Sequence, residues 1–323
     1  MREIGGFLEW ETYYGKEFYS DCIALNSGRN CFRYLIRARK IESIWLPKLL
    51  CSAILDVCKE EKVRVSFYSV DKAFRPIIPC KIEQKEWFYL INYYGQIDVE
   101  SVKSYARHVP HLIVDNAQAF YIEPLYGIDT IYTCRKFFGV TDGGYLFSSC
   151  HMTQDLVQDE SGDRLNYLIG RYERTAHEYY LAYQSNEILI KNLPLKMMSK
   201  ATHNMLRSID YERIKCVRER NFSNLHQHFK NINQFKIRQN IGPYMYPLLV
   251  EHGKEIREKL QREKIYVPLL WPNVLDDLKS EEEEYQLAAN VLPLPCDQRY
   301  GLTDMNYVAE QVKMCIQEDD VHL

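Results

Sequence analysis

No two of the ten cysteines form a CxxC pair, and none stand in a ladder of short spacings. A zinc site or a secreted disulfide framework would show one or the other, so Cys22, Cys51, Cys134, Cys296 and the rest read as reduced thiols, mostly filling core. A basic excess is missing as well. The chain has 41 Lys and Arg against 44 Asp and Glu, a formal net charge of −3, which gives no reason to expect a polyanion partner. Its 25 Tyr are scattered and not interleaved with Lys/Arg runs, so stacking on nucleic acid is not expected. No stretch reaches the ~18 uninterrupted apolar residues of a membrane-spanning helix. The first residues, MREIGGFLEWETYYGKEF, carry acids and no apolar core of signal-peptide length. Repeats and low-complexity tracts are absent apart from the solvated run Glu281 to Glu284. A soluble cytoplasmic protein is expected, with neither membrane nor nucleic acid as partner.

What the chain does have is alternation. Cys22 to Leu25 reads as a short strand running into Asn26-Ser27-Gly28-Arg29-Asn30, and CFRYLIRARK then places Cys31, Tyr34, Leu35 and Ala38 at helical spacing. Ile44 to Pro47 is a strand, SAILDVCKEEK a helix, VRVSFYSVD a strand, WFYLIN a strand ending at Tyr93-Tyr94-Gly95, and DVESVKSYARH a helix. Such alternation predicts an α/β fold, a mostly parallel central sheet covered by helices. From Asp155 to about Tyr183 the pattern is helical, Leu193-Pro194 breaks it, and one long helix is expected from Ser199 to about Lys230. Beyond it, YMYPLLV reads as a strand, GKEIREKLQREKI as a helix, YVPLLWP as a short strand, EEEEYQLAANVLPLP as helix then strand, and DMNYVAEQVKMCIQ as a last helix. The expected division is a large domain over 1–232, including the N-terminal segment and the long helix, and a smaller C-terminal α+β domain over 233–323.

The stretch from His111 to Gly144 carries the chemistry. His111 to Val114 is an apolar run ending at Asp115, and Ile128 to Thr133 is a second run leading to Cys134-Arg135-Lys136, with Asp142-Gly143-Gly144 beyond. Charged residues at the C-terminal ends of buried strands mark the binding crevice of an open α/β sheet. A carboxylate at Asp115 needs a cation or a proton-sharing nitrogen opposite it, or else it caps the following DNAQ turn. Lys136 beside Arg135 is a candidate for a pKa lowered by the neighbouring cation and partial desolvation, as Schiff-base chemistry requires, or else a surface lysine. The Ser27-Gly28 turn opens a helix whose free N–H groups attract a phosphate, or else Ser27 is an ordinary N-cap. His226 and His228, two apart on a helix, face different directions, and no metal site is expected.

Taken together, the Ser-Gly turn, D-x-x-Q at Asp115 to Gln118, and Lys136 followed seven residues later by Gly143-Gly144 resemble the DegT/DnrJ/EryC1/StrS family of sugar aminotransferases. The late VLPLPCDQRYG is similar to that family's Leu-Pro-Leu strand. This resemblance implies fold-type I, with pyridoxal 5′-phosphate held as a Schiff base on Lys136, which also moves the substrate proton. It implies that Asp115 pairs with the pyridinium nitrogen, that Gln118 lies near the cofactor's 3′-oxygen, and that Ser27, Gly28 and the backbone amides of Arg29 and Asn30 hold the phosphate.

Four positions depart from the family pattern. Arg29 stands where most members have Thr. Ile131 stands where a phosphate-binding Ser is expected, which leaves Thr133 as the substitute hydroxyl. Cys51 stands where an aromatic stacks on the ring. Asn192 is a loose match for an Asn donated by the partner subunit. Tyr93, Tyr94 and Arg299 are candidates for the substrate site, Arg299 as a carboxylate clamp. The expectation is a homodimeric aminotransferase moving an amino group from an amino acid, glutamate by resemblance, to a nucleotide-linked keto sugar in glycan biosynthesis. The alternatives are a dehydratase or epimerase using the same cofactor, and a non-catalytic relative acting as a binding subunit.

Overall fold

The apolar runs of the first half fold into one sheet, and helices after the first, second and fourth of them carry the chain back across a face. The computed structural model describes residues 4–79 and 81–320. Strands β1 (Ile23–Leu25), β2 (Ser43–Pro47), β3 (Arg64–Tyr68), β4 (Trp87–Ile91), β5 (His111–Asp115), β6 (Asp129–Thr133) and β7 (Gly144–Phe147) lie in the order β1-β7-β6-β5-β4-β2-β3. The pairings β3-β2, β2-β4, β4-β5 and β5-β6 are parallel, whereas β7 runs antiparallel to both β6 and β1. Residues Phe88 to Ile91 and Leu112 to Asp115 are buried throughout, as strands covered on both faces must be.

Helix α1 (Gly28–Arg39) starts where Ser27 Oγ accepts the Asn30 amide at 3.1 Å, and it stops at Lys40 in the left-handed region with φ 53°. Cys31, Phe32, Leu35 and Ile36 form its buried face. At its end the Arg39 guanidinium grips both Asp129 oxygens, at 3.0 and 2.8 Å, and so ties α1 to the start of β6. Helices α2 (Ser52–Glu60) and α3 (Val99–His108) provide the next crossovers.

Beyond the sheet the segmentation differs from expectation at three places. The helical stretch before Leu193 is two helices, α4 (Asn166–Glu173) and α5 (Tyr180–Lys191). Gly170 leaves the space that the Tyr179 ring fills, since a Cβ there would sit 2.0 Å from it, and the chain turns to bring that ring in. The expected long helix is also two, α6 (Lys200–Arg207) and α7 (Tyr211–Phe229), because Asp210 caps a new start by accepting the Arg213 amide at 3.0 Å. YVPLLWP is no strand. Pro268 cannot donate to a ladder, and Pro272 instead opens a short helix, α9 (Pro272–Asp277), at its first position.

The C-terminal part adds β8 (Tyr246–Leu249), α8 (Gly253–Arg262), α10 (Glu283–Asn290), β9 (Val291–Leu294) and α11 (Leu302–Asp320), with β8 and β9 antiparallel. A second hydrophobic core forms here, and Phe222, Leu225 and Phe229 of α7 belong to it. Helix α7 therefore shares one core with the C-terminal strands, while Tyr211 and Ile214 in its first half belong to the core of the larger sheet. No helix among the described residues is long and apolar enough to cross a membrane.

Candidate active site

Parallel strands align their ends, and in this sheet β4, β5 and β6 bring Ile91, Asp115 and Thr133 to one edge. Asp115 pairs with Ile91 on one side and with Ile131 on the other. Ile131 is thus level with Asp115, but its side chain is apolar and buried, 1 % exposed, and it has no group to bond a phosphate. Thr133, two residues on, has one.

Three backbone segments meet at that edge. The Cys134 amide donates to the Gly143 carbonyl at 3.1 Å, which closes the 134–143 loop, and the Gly143 amide donates to the Asn26 carbonyl at 3.1 Å. Gly144 lies against the start of α1: a Cβ there would stand 2.7 Å from the Gly28 nitrogen and the Ser27 carbonyl carbon. A Cβ on Gly28 would in turn lie 3.4 Å from Thr133 Cβ. Gly28 thus leaves a small cradle between the first turn of α1 and Thr133. Gly143, at φ 115°, adopts a backbone conformation that side-chain-bearing residues rarely reach. Behind the turn, fully buried Asp142 accepts from the Ser199 amide at 2.9 Å, from Ser199 Oγ at 2.8 Å and from the Thr202 hydroxyl. These bonds hold the glycines in place.

Asp115 is 8 % exposed. Oδ1 accepts the Ala117 amide at 2.8 Å, and Oδ2 accepts the Tyr89 hydroxyl at 2.9 Å. Burial pushes the carboxyl above the usual carboxylate range, against the opposing pull of the Lys136 charge, the Ala117 amide and the Tyr89 hydroxyl. Asp115 and Lys136 are thereby brought into electrostatic reach of each other.

Lys136 is exposed on the 134–143 loop, with Nζ 5.8 Å from the centre of the Tyr244 ring. Arg135 points away and pairs with Glu187 on α5, so the expected pair of adjacent desolvated cations does not form. The loop is anchored from the other side by Arg218 of α7, which is 2 % exposed. Its guanidinium donates to the carbonyls of Phe137 at 3.1 Å, Pro243 at 3.0 Å and Tyr244 at 3.1 Å, and to Gln298 Oε1 at 2.9 Å. Gln298 Nε2 adds a second bond to the Phe137 carbonyl at 2.8 Å. Sequence reading missed both Arg218 and Tyr89. A charged residue in a charged helix and a tyrosine in an apolar strand carry no local signal.

Several expected residues have other occupations. Gln118 Oε1 accepts the Tyr94 amide at 2.8 Å and supports that residue's left-handed turn, φ 52°. Tyr93 and Tyr94 do not line a mouth. Tyr93 is buried and donates to the Leu49 carbonyl, and Tyr94 is buried edge-on to Phe74 and Trp271. The strand that delivers them is covered on both faces, so its end is core. The Arg29 guanidinium turns to α5 and donates to the Ile190 carbonyl at 3.2 Å. The Asn30 amide is taken by Ser27, and its side chain holds the Leu193 and Pro194 carbonyls. At α1 this leaves the amides of Gly28 and Arg29 for an anion. Cys51 opens α2 half-buried, without a side-chain capping bond. Arg299 is no free clamp, because Asp297 takes it with two bonds of 2.7 Å. Asn192, the residue that follows α5, turns its side-chain amide back to the Ile188 carbonyl, at 3.0 Å.

A scan of protein-family models finds no match to the chain, and no curated protein sequence matches it. Solved structures do. A DegT DnrJ EryC1 StrS aminotransferase from Brucella abortus is 13 % identical and superposes with a TM-score of 0.61 over 91 % of this chain and 85 % of its own. DesV of S. venezuelae, solved with a ketimine intermediate, is 15 % identical with a TM-score of 0.64 over 91 % and 84 %. NtdA from Bacillus subtilis, solved with bound PMP cofactor, is 15 % identical with a TM-score of 0.65 over 93 % and 74 %. The chain has the fold of these enzymes, fold-type I, with its seven-stranded mostly parallel sheet between helices.

Proposed function

We propose that the protein is a pyridoxal-phosphate-dependent aminotransferase acting on a keto sugar. The single observation that carries this reading is the meeting, at one sheet edge, of the α1 N-terminus, the buried Asp115 carboxylate and the Lys136 loop. These residues fit the cofactor. The cradle beside Gly28, with the Gly28 and Arg29 amides and the Thr133 hydroxyl, suits a phosphate. Asp115 suits a protonated ring nitrogen, because a carboxylate raised by burial gains most from a cationic donor. Lys136 Nζ is the amine that binds the cofactor's aldehyde. When bound, the cofactor supplies an electron sink for charge developing at the substrate carbon.

The chain's own residues then have distinct tasks. Asp115 keeps the ring nitrogen protonated. Lys136 Nζ takes the proton from the donor's α-carbon and returns it at the reacting carbon of the acceptor. The bonds from Arg218 and Gln298 to the Phe137 carbonyl hold the backbone beside that lysine in place.

The finer parts of the reading are a nucleotide-linked acceptor in glycan biosynthesis, glutamate as donor, a cytoplasmic enzyme, the two-domain division near residue 233, and a homodimer. The dimer is supported by an exposed apolar face on α4 and α5, where Ile169, Leu181 and Ile188 are 51, 75 and 64 % exposed. Mixing the cofactor-loaded protein with glutamate tests the activity. An aminotransferase releases 2-oxoglutarate in an amount equal to the loaded sites and stops until a keto sugar is added. A protein that binds cofactor but yields no 2-oxo acid from glutamate or from any other amino acid is a dehydratase, an epimerase or a binding subunit instead.

A further inference from the structure

Tyr89 lies on β4 with 0 % exposure and packs edge-on to Phe32 at 4.9 Å between ring centres. Phenylalanine would fill that space as well. What the hydroxyl adds is one hydrogen bond, to Asp115 Oδ2 at 2.9 Å. We propose that Tyr89 is a positioning residue for a cofactor's ring nitrogen, acting through Asp115. This rests on the pyridoxal phosphate reading above and deepens it.

The geometry around the carboxylate supports the role. Among the described residues two donors touch it, the Ala117 amide on Oδ1 and the Tyr89 hydroxyl on Oδ2. One donor would leave the group free to swing about the other oxygen, whereas two fix its plane. Each oxygen keeps a further lone pair, so a ring N–H can still be accepted. Other titratable groups feel Asp115 only through space: Cys31 of α1, Tyr68 of β3, Tyr93, and Lys136. Lys136 is exposed and is itself occupied when the cofactor is bound, so the direct hold on the carboxylate falls to Tyr89 and Ala117. Burial holds the Tyr89 phenol well above its usual range, so it stays a donor wherever the protein is folded. The scaffold fixes the donor too, since the Tyr68 hydroxyl bonds the Tyr89 carbonyl at 2.7 Å.

The test is a binding comparison between two ligands that differ only at the ring nitrogen: pyridoxal phosphate and its 1-deaza analogue, in which CH replaces N. Dissociation constants are measured for the wild-type protein and for Tyr89→Phe by absorbance titration, with a thermal melt of each apoprotein. The expected result is that wild type prefers pyridoxal phosphate, and that Tyr89→Phe weakens it about tenfold while the deaza analogue changes by less than about twofold. Equal losses for both ligands mean that Tyr89 only supports the fold, and they overturn the proposal. Unchanged affinity for both overturns it as well. If wild type binds neither ligand, the cofactor reading itself falls and this inference with it; if it binds both equally, only the ring-nitrogen role falls. Should Tyr89→Phe not fold, site-specific 3-fluorotyrosine at position 89 keeps the shape and alters the donor strength; the ratio of the two dissociation constants must then differ from wild type while the deaza constant stays within about twofold, and an unchanged ratio overturns the proposal.

Discussion

The Lys136 ammonium and the Tyr244 ring, 5.8 Å apart, meet from segments far apart in the chain. One belongs to the loop between β6 and β7, the other to the segment leading into β8. Arg218 makes this meeting reproducible, because it bonds the carbonyl of Phe137, beside the lysine, and the carbonyl of Tyr244. Its planar fork serves four acceptors at once, one more than the three donors of a lysine could reach.

Arg218→Met keeps the volume and removes every donor. The carbonyls of Pro243 and Tyr244 then lose the Arg218 bonds, while Phe137 keeps Gln298. Each buried carbonyl left unpaired costs about 1–3 kcal/mol, offset in part by no longer burying a charge. The expected net loss is about 2–4 kcal/mol in a urea-unfolding measurement. Gln298→Ala should cost about 1 kcal/mol, because Phe137 keeps its bond from Arg218.

Gly144→Ala forces a methyl to 2.7 Å from backbone atoms of Ser27 and Gly28. Backbone cannot turn away as a side chain can, so the start of α1 must shift from Thr133. Overpacking of this kind costs about 1–3 kcal/mol. Phosphate-dependent affinity, measured as pyridoxal phosphate against pyridoxal, should fall more than affinity for pyridoxal itself.

Arg29→Thr should do little to cofactor binding. The guanidinium bonds the Ile190 carbonyl on α5 and not the cradle, while the residue's amide is kept whatever the side chain. Affinity for pyridoxal phosphate is expected to stay within about threefold, under ~1 kcal/mol. The cost should appear as faster proteolysis between α4 and α6.

Glu17 gives a pH dependence. Burial raises its pKa, but His203 Nδ1 at 2.7 Å, the Tyr145 hydroxyl at 2.6 Å and the Arg207 charge outweigh burial, and the net shift is downward from 4.5. A depressed acid contributes stability that is full above its unfolded value and lost as pH falls through its folded value. Melting temperature should therefore drop as pH falls below 4.5, and Glu17→Gln should show a shallower drop from a lower plateau.

How much of this was legible in the sequence depended on how local each signal was. The sheet was readable because strands buried on both faces, such as Trp87 to Ile91, are continuous apolar runs. Ser27, Asp115 and Lys136 stood out because caps and strand-end charges are local features. The four-residue β7 was not, since its antiparallel place is fixed by the Gly143 and Gly144 contacts with the Ser27 turn. The break at Asp210 was hidden because aspartate is tolerated inside a charged helical pattern as well as at its start. Tyr93 and Tyr94 were misplaced for a related reason: a strand end points to the crevice, but Trp271 arrives from far along the chain to cover them.

The central claim is that Lys136 carries the cofactor, and one measurement addresses it directly. The protein is incubated with pyridoxal phosphate, reduced with borohydride, digested, and the phosphopyridoxyl lysine is located by mass spectrometry. The account predicts a single modified peptide containing Lys136, at one group per chain, absent in Lys136→Ala and abolished by prior addition of glutamate. Label spread over surface lysines, or retained in Lys136→Ala at the same level, would contradict it.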